Sequence, residues 1–229
     1  AASARSVRWE VGQIQKVLRA ADIPLIILKG AAYEMAGLPP ARGRLFVDVD
    51  IMVPGEEVLS AEKHFIQNGW ATSKLNAYDQ RYYRNWMHEI PPLRHMGRKT
   101  SLDVHHTILP PTARLKPAVE KLWDSAVPLP GSVDTYVLGS EDMVLHSATH
   151  LFYDGDLKGG LRDIVDLDGL IRFYSKDPGF MESLLERARQ MDLLPPLYYA
   201  LRYVAKYTNT PIPSGILKKC EVLGAPPEP

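Results

Sequence analysis

Residues 28–53 read LKGAAYEMAGLPPARGRLFVDVDIMV, and this stretch decides the fold. Gly30 lies where a short apolar segment, residues 24–29, gives way to the helix-forming run Ala31, Ala32, Tyr33, Glu34, Met35. Residues 45–53 form a β-branched, apolar run interrupted by two acids, which predicts a buried strand. Side chains alternate along a strand. Asp48 and Asp50 therefore point the same way, while Val47, Val49 and Ile51 take the other face. Two carboxylates on one face of an apolar strand repel each other and lose hydration. A positive group must lie between them, and a hard divalent cation is the simplest candidate.

Upstream, residues 5–21 place Val7, Val11, Ile14, Val17 and Leu18 at helical spacing. At Gly30 the free N–H groups of a starting helix attract an anion, and the absent side chain lets a phosphate approach. Arg42 and Arg44 occupy the loop before the acidic strand. Downstream, Pro54-Gly55 turns the chain into a helix over 56–68, closed by Gly69. Residues 70–90 are mixed and aromatic: Trp70, Tyr78, Tyr82, Tyr83 and Trp86. With Arg84, Arg94, Arg98 and Lys99 they offer a grip for RNA, but a solvated face with inward-packed tyrosines is the expected arrangement. Residues 89–109 predict a hairpin, with arms over 89–95 and 100–108 and a turn at 96–99. Pro91-Pro92 makes its first arm an edge or an imperfect strand. On the second arm Leu102, Val104 and His106 share one face, and Asp103 and His105 the other.

Pro110-Pro111 begins a change of character. After a short strand over 135–138, Ser140 reads as the N-cap of a helix carrying His146 and His150 to Phe152. Gly159-Gly160 breaks it, and helices follow over 161–174, 178–192 and 195–208. His146 and His150, at i and i+4, read as interdomain hydrogen-bonding groups, with Asp163 and Asp166 as their candidate partners. Strands mixed with helices and then helices alone predict an α+β protein. Its first domain, residues 1–112, carries a mixed sheet with flanking helices; its second, residues 113–229, is mainly helical.

The bulk numbers narrow the function. The 229 residues hold 27 basic and 27 acidic side chains. A chain of net charge zero is not a whole-surface nucleic-acid binder. One cysteine, Cys220, excludes an internal disulfide and a cysteine-based zinc site. No apolar run approaches 18 residues, so a soluble, cytoplasmic protein without a membrane role is expected. Asp48, Asp50 and Asp103, brought to one sheet edge, suit two Mg2+ ions about 3.5–4 Å apart, with Mn2+ as the alternative. Lys29, Gly30 and Arg44 are candidates for holding phosphates, and His105 is a secondary candidate beside Asp103.

In order and spacing, Lys29-Gly30, Arg44, Asp48-x-Asp50 and Leu102-Asp103-Val104-His105 resemble the nucleotidyltransferases of the DNA polymerase beta superfamily. The resemblance is to their bacterial "uncharacterised nucleotidyltransferase" branch. It extends over residues 20–210 and includes a His-x3-His helix (His146, His150) and an Arg162-Asp163-Ile164 helix. The resemblance implies transfer of a nucleoside monophosphate from an NTP to a hydroxyl acceptor, with release of pyrophosphate. It also implies that Asp48 and Asp50 hold both metals while Asp103 completes the site and helps deprotonate the acceptor. The superfamily's usual Gly-Ser is replaced here by Lys29-Gly30-Ala31, with Lys29 taking the place of the serine hydroxyl, as in similar abortive-infection toxins. Two alternatives remain open at this point: a toxin-like enzyme acting on tRNA, and a non-catalytic nucleotide-binding scaffold. A nucleic-acid acceptor is compatible with the residues but not favoured by them.

Overall fold

The computed structural model describes residues 3–72, 76–153 and 160–225. In chain order these form α1 (Ala4–Arg19), β1 (Leu25–Ile27), α2 (Lys29–Met35), β2 (Asp48–Met52), α3 (Val58–Gln67), β3 (Trp70–Thr72), α4 (Ala77–Trp86), β4 (Leu93–His95) and β5 (Ser101–His105). Then come α5 (Val119–Asp124), β6 (Val127–Pro128), β7 (Thr135–Val137), α6 (Ser140–Tyr153), α7 (Gly160–Tyr174), α8 (Phe180–Gln190), α9 (Leu194–Thr208) and α10 (Ser214–Gly224). They fall into two compact units. One comprises Ala1–Ala113 with Trp123–Leu138, the other Arg114–Leu122 with Gly139–Pro229. The architecture is mixed α+β. No helix among the described residues is long and apolar enough to cross a membrane.

All seven strands belong to the first unit and form one sheet in the order β3-β4-β5-β2-β1-β7-β6. The centre is mixed: β2 runs antiparallel to β1 and parallel to β5, and β1 runs parallel to β7. Helix α1 packs against α2 and α3. Its residues Val7, Val11, Ile14 and Leu18, spaced to form one stripe, are all buried. Leu25, Ile26, Ile27, Ile51, Leu93, Leu102 and Val104 form the strand side of the core. Buried within that shell, Glu10 accepts three hydrogen bonds from the Arg98 guanidinium (2.8–3.1 Å) and a fourth from Thr100 (3.1 Å). The Arg98 guanidinium also lies over the rings of Trp9 and Trp70. This satisfied polar cluster ties α1 to the β4–β5 turn.

Several expectations are corrected. The acidic strand is shorter than residues 45–53: it starts at Asp48, and Leu45 and Val47 are exposed. Residues 77–86 are a helix that buries none of its residues. Tyr78, Tyr82 and Trp86 stand outward rather than packing inward, the two tyrosines stacked at 6.4 Å. The basic residues that could have gripped an RNA are partly committed elsewhere, because Arg84 forks onto Glu62 (2.7 Å twice) and Arg98 onto Glu10. The arm bearing Pro91-Pro92 is not an edge, since β4 lies between β3 and β5.

The proline pair does distort that arm. Leu93 pairs with Leu102 and Arg94 with Ser101, yet Glu89 pairs with His105 rather than His106. One extra residue is therefore absorbed in the arm at residues 90–92, where two successive prolines lack an N–H. The slip turns Glu89 onto the face that carries Asp103 and His105.

In the second unit α6, α7 and α9 pack on one another, α8 packs on α6 and α9, and α10 covers α9. Ser140 is the first helical residue rather than the cap. Gly139 supplies the carbonyl that accepts from Met143 N (2.8 Å). Gly160 opens α7, while Gly159 lies outside the described residues. His150 Nδ1 sits 3.8 Å from Asp163 Oδ2, one of its two expected acidic partners, within the second unit.

Candidate active site

The β2–β5 register sets Asp50 opposite Asp103, Asp48 opposite Ser101 and Met52 opposite His105. Partners in a parallel pair point to the same side. Asp48, Asp50, Asp103 and His105 therefore share one face, with Val49, Ile51, Leu102 and Val104 buried on the other. The strand ends and turns that follow complete the cluster. β1 passes its chain into α2 at Lys29, whose φ of +46° is left-handed. A lysine adopts that conformation only where its surroundings hold it. Here its Nζ donates to Asp50 Oδ1 at 2.8 Å. On the same oxygen, His105 Nε2 donates at 3.2 Å, and Glu89 Oε2 lies 3.5 Å from that nitrogen.

The electrostatics divide the acids. Burial works against the Asp50 carboxylate, but Lys29 and His105 together hold its carboxyl well below the usual range. Asp103 has no such cationic partner at bonding distance among the described residues. Burial first, then Asp50, Glu89 and Asp48, push it up to about 8. Asp48 is raised by burial and by Asp50, with Lys29 and Arg44 opposing. Tyr83 is raised by burial and then by the charges of Glu89 and Asp103. Carboxylates forced together cannot all ionise cheaply. A donor set of clustered carboxylate oxygens is the environment that a hard cation such as Mg2+ relieves, so the residues present fit such an ion.

Gly30 and Arg44 meet directly. A Cβ at Gly30 would stand 2.5 Å from Arg44 Nε and 2.8 Å from Cζ, so the guanidinium lies against the glycine backbone. Arg44 Cζ is also 5.7 Å from the centre of the Tyr33 ring. Gly30→Ala is expected to unseat Arg44 with little effect on folding, because a flexible side chain is what must move. Nucleotide affinity should fall about 10-fold, with stability changed by less than about 1 kcal/mol. Titration calorimetry alongside a thermal melt checks both. Unchanged affinity would remove Arg44 from the nucleotide site.

A cavity of ≈ 520 Å³ includes Asp48 in its lining with Trp9, Phe46, Val47 and Arg98. It is large enough for a nucleoside-sized ligand. Of the residues expected at the site, the structure brings Asp48, Asp50, Asp103, Lys29 and His105 together and seats Arg44 on Gly30. Glu89, which the sequence reading did not name, lies beside His105. A hairpin drawn with regular pairing puts Glu89 on the wrong face, and only the two prolines signalled that the pairing would slip.

This sheet and its flanking helices are the fold of the nucleotidyltransferases. The solution structure of the antibiotic-resistance factor ANT(2'')-Ia superimposes with a TM-score of 0.53 at 14% identity, covering 90% of this chain and all of that one. A crystal structure of ANT(2'')-Ia with adenylyl-2''-tobramycin gives 0.50 at 14% identity, over 81% and 97% of the two chains. An antigenic nucleotidyltransferase-like protein from Paracoccidioides brasiliensis gives 0.52 at 15%, over 94% of each. At such identities the likeness is one of fold. Membership is settled by the sequence itself: residues 1–209 match the model of the uncharacterised nucleotidyltransferase family, and the chain belongs to that family. No protein with a curated description matches it significantly.

Proposed function

We propose that the protein is a divalent-cation-dependent nucleotidyltransferase. It moves a nucleoside monophosphate from an NTP to a hydroxyl of an acceptor and releases pyrophosphate. The observation that carries this reading is the in-register pairing of Asp50 with Asp103, with Asp48 on the same face. Asp48, Asp50 and Asp103 would hold Mg2+, or Mn2+ in its place. The bound ion would supply charge neutralisation for the polyphosphate and alignment of the attacking and leaving oxygens.

The remaining work falls to the chain. Arg44, seated on Gly30, binds phosphate oxygens. Lys29 balances charge at Asp50 and is near enough to exchange that contact for a phosphate. Asp103, which would be ionised once a bound cation takes the place of its proton, accepts the acceptor's hydroxyl proton as the acceptor oxygen bonds to the α-phosphorus and the bond to pyrophosphate breaks. His105 positions Asp50.

Glu89 shares the face that carries Asp103, and Tyr83 feels the charges of both acids. Negative charge and an aromatic ring there favour a small neutral or cationic polyol over a polyanion such as tRNA. ANT(2'')-Ia, whose fold is shared, is found with adenylyl-2''-tobramycin. The test has two stages. Titration with ATP, CTP, GTP and UTP plus Mg2+ should show binding that disappears in Asp48→Ala/Asp50→Ala. Incubation of α-labelled NTP with aminoglycosides, sugar phosphates or total tRNA should place the label on a small molecule. Absence of Mg2+-dependent nucleotide binding would reject the enzyme reading, and a labelled tRNA band would reject the acceptor class.

A further inference from the structure

We propose a second metal site, made by His88, Glu89 and His105, that takes a borderline transition-metal ion of the Zn2+ or Co2+ type. The three side chains each offer one donor atom, and these atoms lie within 4.8 Å of one another. Both imidazoles are buried, at 5% and 1% exposure, and the Glu89 side chain is 16% exposed.

The backbone around the three is already stitched. His106 N and Ile90 N donate to His88 O and Val104 O, each at 3.0 Å, and Glu89 bridges to His105 across the sheet. The ligand positions are therefore set by the proline-induced slip before an ion arrives, which lowers the ordering cost of binding.

The spacing suits four-coordinate geometry. Bonds of about 2.0–2.1 Å at tetrahedral angles separate adjacent donor atoms by about 3.4 Å and two imidazole centroids by about 5.2 Å. His105 Nε2 and Glu89 Oε2 are 3.5 Å apart, and the His88 and His105 rings are 5.2 Å apart. Two imidazoles and one carboxylate are softer than the all-oxygen set of the aspartates. They select Zn2+, Co2+ or Mn2+ over Mg2+ and leave a position open for water or a ligand.

The two sites communicate through one nitrogen. His105 Nε2 cannot donate to Asp50 Oδ1, 3.2 Å away, while its lone pair is held by a metal. An ion at the histidines thus withdraws a hydrogen bond from Asp50. This consequence, inhibition of transfer by Zn2+, rests on the proposed nucleotidyl-transfer reading; the metal site itself does not.

The experiment titrates Co2+ into the metal-free full chain and reads the visible absorption. One equivalent should give the intense d–d bands of a four-coordinate ion, retained in Asp48→Ala and bleached by Zn2+ but not by Mg2+. His88→Ala and Glu89→Gln should weaken Co2+ binding by roughly 100-fold. Circular dichroism confirms that each variant folds, and the Zn2+/Mg2+ competition decides the matter in the unmodified chain if one does not. Weak octahedral bands, bleaching by Mg2+, loss of the signal in Asp48→Ala or its persistence in folded His88→Ala would each overturn the site. The first three of these outcomes leave the aspartate centre standing. A His88-dependent signal in a chain without Mg2+-dependent nucleotide binding would do the reverse.

Discussion

Asp50→Asn is expected to lower nucleotidyl transfer by about 1,000-fold or more, equivalent to about 4 kcal/mol of transition-state stabilisation. Asp50 is the acid on which the site converges: it is in register with Asp103 and accepts from both Lys29 and His105. Its loss also costs stability. Breaking a buried pair by removing one partner costs about 3–5 kcal/mol at most. The Lys29 side chain is 19% exposed and so keeps some hydration. A loss of about 1–2 kcal/mol in chemical denaturation is therefore expected. Asp48→Asn separates the two effects. Asp48 keeps contact with solvent at the start of β2, although partial burial of its carboxyl and the charge of Asp50 disfavour its ionised form. Activity should collapse as far as in Asp50→Asn while stability stays within about 0.5 kcal/mol. Transfer retained within tenfold in both variants would remove the aspartates from the chemistry.

The metal-free protein should become less stable as pH rises from about 7 to 9, and Mg2+ should cancel that loss. The Asp103 carboxyl is raised from 3.8 to about 8. Between those values the folded chain holds a proton that the unfolded chain has released. Its contribution is fully present below the unfolded value, declines as pH rises, and is gone above the folded one. Asp50, shifted down, works in the acid range, where stability is lost as pH falls, so the alkaline window isolates Asp103. A cation takes the place of the proton, so the Mg2+-induced gain in melting temperature should increase with pH. Near pH 7 its binding should release close to one proton. Melts across this range, with and without Mg2+, and titrations in buffers of different ionisation enthalpy measure both. Asp103→Asn should flatten the slope; a slope unchanged in that variant assigns it to another group.

What could be read in advance followed from strong local signals. Apolar residues flanking Asp48 and Asp50, and the alternation through Asp103 and His105, placed the acids on strands and on one face. The amphipathic stripe of α1 was equally plain. The losses have physical causes. Helix α4 buries no side chain, so it carries no apolar period to detect. β3 and β6 span three and two residues, too few for alternation to show. Other pairings join distant parts of the chain. Arg98 finds Glu10 across 88 positions and His105 finds Asp50 across 55, distances at which composition says nothing of pairing. Lys29 was assigned to a phosphate because its closeness to Asp50 depends on a left-handed backbone angle that no local pattern announces.

The misaligned rung beside Pro91-Pro92 also works as a lever of inheritance. Residues able to donate to the ladder in place of Pro91 and Pro92 would favour even pairing of Glu89 with His106 and swing Glu89 to the opposite side of the sheet, with its neighbours on β5 left in place. Charge composition would fall by nothing, yet the space in front of Asp103 would lose an acid. A lineage could thus change the charge in front of Asp103 through the two prolines alone, without altering any aspartate.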